Sequence, residues 1–236
     1  MKRPAHPAVG SALTAAATGS ALWWWWRLHP TPQPFAQRLW VDFPHPFVSV
    51  PRLLRALEPA PGQLLLDVGV GSARYAVPVA ERAGATGRVV GLDLQIAMLR
   101  LAGARAARHR VAVTTVASDA STLPFSDGTF DGAWLVSVLG QAPDQTAVLR
   151  EVRRVLRPGG RLVVGEVSYD PHGVFLGALR RRAAAADLDV DLVLGGRLGY
   201  IARLVREDGV GADPTTERST GRVITDTGRE IHTAHS

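Results

Sequence analysis

Residues 66–73 read Leu-Asp-Val-Gly-Val-Gly-Ser-Ala, a carboxylate and two closely spaced glycines closing an apolar run. Glycines at a strand-to-helix turn let the backbone approach a ligand that a Cβ would hold off. Asp67, just ahead of the turn, suits a cationic ligand lying across the loop, or else a cap on the helix that follows. A pyrophosphate-binding turn would carry a further glycine at position 74, where Arg74 stands. A second carboxylate, Asp93, closes the run Val90-Gly91-Leu92-Asp93-Leu94, where it can accept two hydrogen bonds from a ribose diol. Glu166, Tyr169, Asp170 and His172 cluster after a later apolar run. A carboxylate or imidazole there could take a proton from a bound molecule, while His172, after Pro171, also suits a plain turn. Trp40, Phe43, His45 and Phe47 lie in a Pro-rich stretch and fit either an apolar or aromatic ligand or ordinary packing.

These residues need a frame. The chain divides into an uncharged extension ending in four tryptophans (1–28), a Pro-rich lid segment (29–51), a domain alternating apolar runs with helical patterns (52–206) and a polar tail expected to be disordered (207–236). Within the domain, 63–68, 88–92, 111–117, 129–138 and 161–167 read as strands. Residues 73–83, 95–108, 144–156 and 174–186 read as helices, the first kinked at Pro78. The breaker cluster Arg157-Pro158-Gly159-Gly160 ends one helix, and 190–194 with 200–205 look like a closing antiparallel pair. Such alternation predicts an α/β fold: a Rossmann-like, doubly wound sheet, mostly parallel with an antiparallel final strand. Ligands then bind beyond the carboxyl ends of the strands. Asp127 and Asp131 read as turn residues, and Glu151 as a helix-surface partner of Arg154.

Composition narrows the chemistry. The 236 residues contain no cysteine, which excludes disulfide scaffolds, thiolate zinc sites, iron–sulfur chemistry and thiol nucleophiles; no metal site is expected. The net charge of +6 is almost all arginine, Lys2 being the one lysine. Acidic and basic residues alternate through the middle of the chain. The clusters Arg105-Arg108-His109-Arg110 and Arg180-Arg181-Arg182 sit in Ala-rich helical patterns that suit solvated faces, so no nucleic-acid partner is expected.

Beyond the two glycine and carboxylate motifs stand Ser118-Asp119-Ala120, then Leu123-Pro124-Phe125-Ser126-Asp127 with Phe130-Asp131, and then residues 149–162, Leu-Arg-Glu-Val-Arg-Arg-Val-Leu-Arg-Pro-Gly-Gly-Arg-Leu. Asp93 alone suits NAD-binding and S-adenosylmethionine-binding folds alike. Together, in order and at this spacing, the motifs resemble the class I S-adenosylmethionine-dependent methyltransferases, in the branch of the quinone-biosynthesis C-methyltransferases. The resemblance covers about residues 52–206. It implies S-adenosyl-L-methionine as cofactor, with Asp67, Gly69 and Gly71 at its methionine end and Asp93 on the ribose. Leu94 and Met98 would lie near the adenine, Asp119 and Ala120 at its amino edge, and Val136 and Ser137 over the sulfonium. The family often has a third glycine where this chain has Ala73.

The acceptor is read more coarsely. No Pro-Pro-Tyr or Pro-Pro-Phe follows the fourth strand, which lowers nucleobase amine methylation, and the lack of cysteine removes thiol-dependent pyrimidine and arsenic methylation. The expected reaction is methyl transfer to a small, apolar or aromatic molecule, with Trp40, Phe43 and Phe47 over it and Glu166 or His172 as base. The alternatives are an RNA or protein methyltransferase and a non-catalytic cofactor-binding scaffold. Residues 8–26 are uncharged but mostly Ala, Thr, Ser and Gly, and the flanking charges do not favour a span with the domain in the cytoplasm. The expectation is a cytoplasmic protein whose first 28 residues form either a disordered extension or a peripheral one that meets a membrane surface through Trp23–Trp26. Oligomeric state is left open.

Overall fold

The computed structural model describes residues 46–206 and two short strand segments, 222–224 and 230–231. Trp40, Phe43, His45 and the whole 1–28 extension lie outside the described residues.

The chain enters through α1 (Val50–Leu57), whose Pro51 occupies the first turn, where a missing amide proton costs no helical bond. Leu53, Ala56 and Leu57, at helical spacing, are its buried stripe, and Glu58 ends it in the left-handed region at φ 50°. Next come β1 (Leu64–Val68), α2 (Ala76–Ala83), β2 (Arg88–Asp93), α3 (Ile96–His109), β3 (Val113–Ala117) and β4 (Phe130–Val136). A single 3-10 turn (Leu139–Gln141) leads to α4 (Gln145–Val155), β5 (Leu156–Val167), α5 (Leu176–Ala184), β6 (Leu188–Gly196) and β7 (Gly199–Arg206). Two short strands, β8 (Arg222–Ile224) and β9 (Glu230–Ile231), complete the order.

All of these strands lie in one sheet, in the order β3-β2-β1-β4-β5-β7-β6-β8-β9. Strands β1 to β5 are parallel, and β7 enters antiparallel between β5 and β6. This is the expected α/β, Rossmann-like doubly wound sheet with an antiparallel closing strand. Because both faces are covered, β1 and β4 are apolar almost throughout. One core joins Leu66, Val68 and Leu135 to the buried stripes of α4 and α5; the other joins Leu65, Trp134 and Val163 to α1, α2 and α3.

The structure differs from the sequence reading in four places. Helix α2 starts at Ala76, which puts Pro78 in its first turn, so the ring needs no kink. Strand β5 begins at Leu156, and Arg157-Pro158-Gly159-Gly160 forms a bulge: Leu156 pairs with Phe130, but the next pair is Arg161 with Gly132. Asp131 lies inside β4, where its Oδ2 accepts the Leu64 amide proton at 2.7 Å and Oδ1 pairs with Arg157. The 207–236 segment, read as tail, contributes β8, whose Val223 and Ile224 pair in parallel with an otherwise open β6 edge, and β9 pairs with β8.

Arg154 fixes the long connection after β3. Its guanidinium donates to Glu151, to Asp127 Oδ1 at 2.7 Å, and to the carbonyls of Phe125 and Leu123 at 2.8 and 3.0 Å. Glu151 Oε2 in turn accepts from the Leu123 amide at 2.9 Å, and the arginine bonds hold its carboxyl below the ordinary range. The Glu151–Arg154 pairing expected from helical spacing is present and reaches beyond its own helix.

Candidate functional site

The strand order reverses between β1 and β4, so the carboxyl ends of β1, β2 and β4 open a crevice there. The turn after β1 is held to β2 because the amides of Gly69 and Val70 both donate to Leu92 O, at 2.7 and 2.8 Å. Asp93, at the tip of β2, accepts from the Gly71 amide (3.0 Å, Oδ2) and the Gln95 amide (2.9 Å, Oδ1). One carboxylate thus ties the glycine turn to the start of α3. Burial pushes the Asp93 carboxyl up, and these amide bonds work against that rise.

Asp67 is 3% exposed and does not cap α2, which begins beyond Tyr75. Its carboxyl is raised well above the ordinary carboxylate range, first by burial and then by Asp93. The glycine turn has two conformational demands. Gly69 has φ +78°, and a Cβ there would come within 2.3 Å of Val138 Cγ2. That glycine therefore lets the segment after β4 close onto the β1 turn. Ala73, in place of the family's third glycine, sits at φ +60°, fully buried.

The remaining cofactor candidates converge on the same edge. Ser137 adopts φ 54°, donates its amide proton to Gly165 O at 2.8 Å, and accepts from Gln141 Nε2 at 2.8 Å, fixing the turn after Val136. Leu94 is 53% exposed, while Met98 on α3 is buried. Asp119 is exposed, and its Oδ1 accepts from both the amide and the hydroxyl of Ser121 at 2.7 Å, bonds that lower its carboxyl. Neighbouring Ala120 packs against the core.

Phe47 and Val48 cross the ends of β5 and β7. A Cβ on Gly165 would lie 2.7 Å from Val48 Cγ1, and one on Gly199 would lie 2.6 Å from Phe47 Cβ. Tyr75 Oη donates to Val48 O at 2.7 Å, and Arg52 donates to Phe47 O at 2.8 Å. Tyr75 was not legible as a site residue; its neighbour Arg74, 5.5 Å from its ring centre, gave no sign of a bond to a segment so far upstream. Glu166 is 2% exposed and accepts from the amides of Val174 and Gly140; burial first, then Asp170, push its carboxyl up to about 8. Its Oε1 accepts no hydrogen bond among the described residues. His172 is 8% exposed and lines a cavity of about 190 Å³ together with Gly140, Gln145, Val174, Phe175 and Arg182. Glu166 is not in that lining and stands behind Gly140 and Val174.

The donor set fits a cationic nucleoside cofactor. A carboxylate offers four lone-pair sites, so Asp93 can accept from a ribose diol while keeping its two amides. A positive charge over the β1 turn would also favour the ionised form of the Asp67 carboxyl, which burial and Asp93 disfavour.

Comparison with known proteins agrees with this geometry. Residues 66–164 match the methyltransferase domain family. A demethylmenaquinone methyltransferase of Corynebacterium kroppenstedtii is 41% identical over 121 residues, 51% of this chain and 49% of that protein. A Streptomyces fradiae transposon protein of 37.1 kDa, itself uncharacterised, is 36% identical over 159 residues, 66% of this chain and 46% of its own. This chain thus spans about half the length of the curated relatives it matches. Among solved structures, an S-adenosylmethionine-dependent methyltransferase from Aquifex aeolicus superposes with a TM-score of 0.67 at 19% identity, covering 73% of this chain and 98% of that one, a likeness of fold. The crevice at the strand reversal and its two carboxylates lie within residues 66–164, the segment that matches the methyltransferase domain family, on a fold like that of S-adenosylmethionine-dependent methyltransferases.

Proposed function

We propose that this chain transfers the methyl group of S-adenosylmethionine to a small, apolar or aromatic molecule. The observation that carries the reading is Asp93, held by the Gly71 and Gln95 amides at the strand reversal with buried Asp67 beside it. Relatives named for demethylmenaquinone support an aromatic acceptor.

The bound cofactor supplies an activated methyl on a sulfonium, so the protein's task is alignment and exclusion of water. Asp67, Gly69 and Gly71 receive the methionine end, Asp93 the ribose, Leu94 and Met98 the adenine, and Asp119 with Ala120 its amino edge. Val136 and Ser137 cover the sulfonium. Phe47 stands on the acceptor side, with Trp40 and Phe43 assigned there from sequence. Of the two candidate bases, His172 borders a cavity and is the group placed to take a proton. Glu166 holds Gly140 and Val174 and acts through them as a positioning residue. A cytoplasmic location with a peripheral membrane contact through residues 1–28 belongs to the same proposal.

Calorimetric titration of the full chain with S-adenosylmethionine, with NAD as control, tests the reading. Micromolar binding is expected, weakened about ten- to a hundredfold in Asp93→Ala, as loss of charged hydrogen bonds predicts. Preference for NAD, or no binding by the unaltered chain, overturns it. In His172→Ala, turnover is expected to fall while cofactor affinity holds; an equal loss of both removes His172 from the proton role.

A further inference from the structure

The turn between β1 and α2 is held by its neighbours almost residue by residue. Gly69 and Val70 donate to Leu92 O, Gly71 donates to Asp93 Oδ2, and Tyr75 Oη donates to Val48 O. Between these anchors stands Ser72, which is 1% exposed and lies ahead of the first residue of α2, Ala76. Arg105, on α3, reaches it: one guanidinium nitrogen donates to Ser72 O at 3.2 Å and to Ser72 Oγ at 3.0 Å. Helical side chains lean toward their own N-terminus, so Arg105, two turns beyond Met98, points back along α3 toward the turn.

The residue after Ser72 is the strained one. Ala73 has φ 60° and no exposed surface. Its Cβ disfavours that conformation, which glycine adopts freely. A strained residue persists only where its surroundings over-determine it. The Ala73 amide donates to Val70 O at 2.8 Å, and the Ala73 carbonyl accepts from the Val77 amide at 3.2 Å. Both bonds stay within the turn and the helix it opens. Arg105 adds the tie to another element. The Ser72 carbonyl and the Ala73 amide belong to one rigid peptide plane, and the orientation of that plane sets φ of Ala73. With its oxygen on Arg105 and its N–H on Val70, the plane is fixed at both ends.

We propose that Arg105 is a positioning residue of the cofactor turn: by holding the Ser72 carbonyl it keeps Ala73 left-handed, and so keeps Gly69 and Gly71 in the conformation that receives the methionine end of the cofactor. This rests on the assignment of that end to the glycine turn. Without the clamp Ala73 relaxes toward the conformations its Cβ favours. The competent fraction of turns then falls about tenfold, and apparent cofactor affinity falls in proportion.

The experiment is a double-mutant cycle on the full chain. Arg105→Met keeps an apolar stem and removes the donors, while Ala73→Gly removes the strain. S-adenosylmethionine is titrated by calorimetry into each combination, and each is unfolded in denaturant. Arg105→Met is expected to weaken binding about tenfold in the chain with Ala73, and less than about threefold in the Ala73→Gly background. Arg105→Lys, which keeps a charged donor, is expected to recover part of the loss. Denaturant midpoints taken without cofactor are expected to show the same non-additivity. Equal weakening of binding in both backgrounds, or none in either, overturns the inference, since Arg105 then acts on something other than Ala73. If the unaltered chain does not bind S-adenosylmethionine, the methyltransferase reading falls and the midpoints decide the clamp: coupled midpoints sustain it, and additive ones overturn it.

Discussion

Ala73 carries a methyl group where the backbone turns to φ +60°, a conformation that costs a non-glycine residue ~1–2 kcal/mol. Replacing it with glycine removes that strain, but loses a buried methyl worth ~0.8 kcal/mol and adds ~0.5–1 kcal/mol of unfolded-state freedom. Ala73→Gly is therefore expected to change unfolding free energy by less than about 1 kcal/mol, read from denaturant midpoints. Gly69 gives the opposite result. Gly69→Ala imposes the same strain at φ +78° and drives a Cβ into Val138, so a loss of about 2–4 kcal/mol is expected by the same measurement. The two substitutions show that the glycine turn is specified as much by the segment after β4 as by a ligand.

At the scale of elements, the stem ahead of α1 is fastened at a few points. Tyr75 Oη reaches Val48 O, Arg52 reaches Phe47 O, and Val48 seats on Gly165. Burial raises the Tyr75 hydroxyl to about 12, so it stays a donor across the working range. Tyr75→Phe removes that bond at a cost of about 1 kcal/mol. Hydrogen exchange should quicken in a peptide spanning 46–57 and stay unchanged in β1 and β4; uniform quickening would show that the bond supports the whole core rather than this stem. Arg154 works at the same scale, holding the 119–127 connection against α4 through two carboxylates and two carbonyls.

For the molecule as a whole, buried carboxyls set the pH dependence of stability. Glu166 is raised from 4.5 to about 8, chiefly by burial, so the folded chain keeps a proton that the unfolded chain gives up. This group's stabilisation is fully present below about pH 4.5 and is lost as pH rises through about 8. Within that window the slope approaches ~1.4 kcal/mol per pH unit. Asp67, also raised, acts in the same direction. Denaturant unfolding of the full chain at several pH values across that window should show stability falling with pH, and Glu166→Gln should flatten the slope. An unchanged slope in the variant would remove Glu166 as its source.

The local pattern carried most of the frame. Alternating apolar runs and helical stripes, with breakers between them, specified the parallel strands β1 to β5, because strand and helix periodicities are written into adjacent residues. The glycine turn and Asp93 at a strand end marked the cofactor side for the same reason: each is a short segment whose chemistry needs few neighbours. Pro78 misled because its effect depends on where the helix begins, a boundary set by packing of the 71–75 turn. Asp131 was assigned to a turn because nothing local announces an amide donated by Leu64 across the sheet. The pairing of Gly69 with Val138, the bond from Tyr75 to Val48, and the meeting of Gln145, His172 and Arg182 around one cavity were decided only by tertiary structure. Each joins elements far apart in the chain through the winding of the sheet, and no periodicity along the sequence encodes which loops that winding brings together.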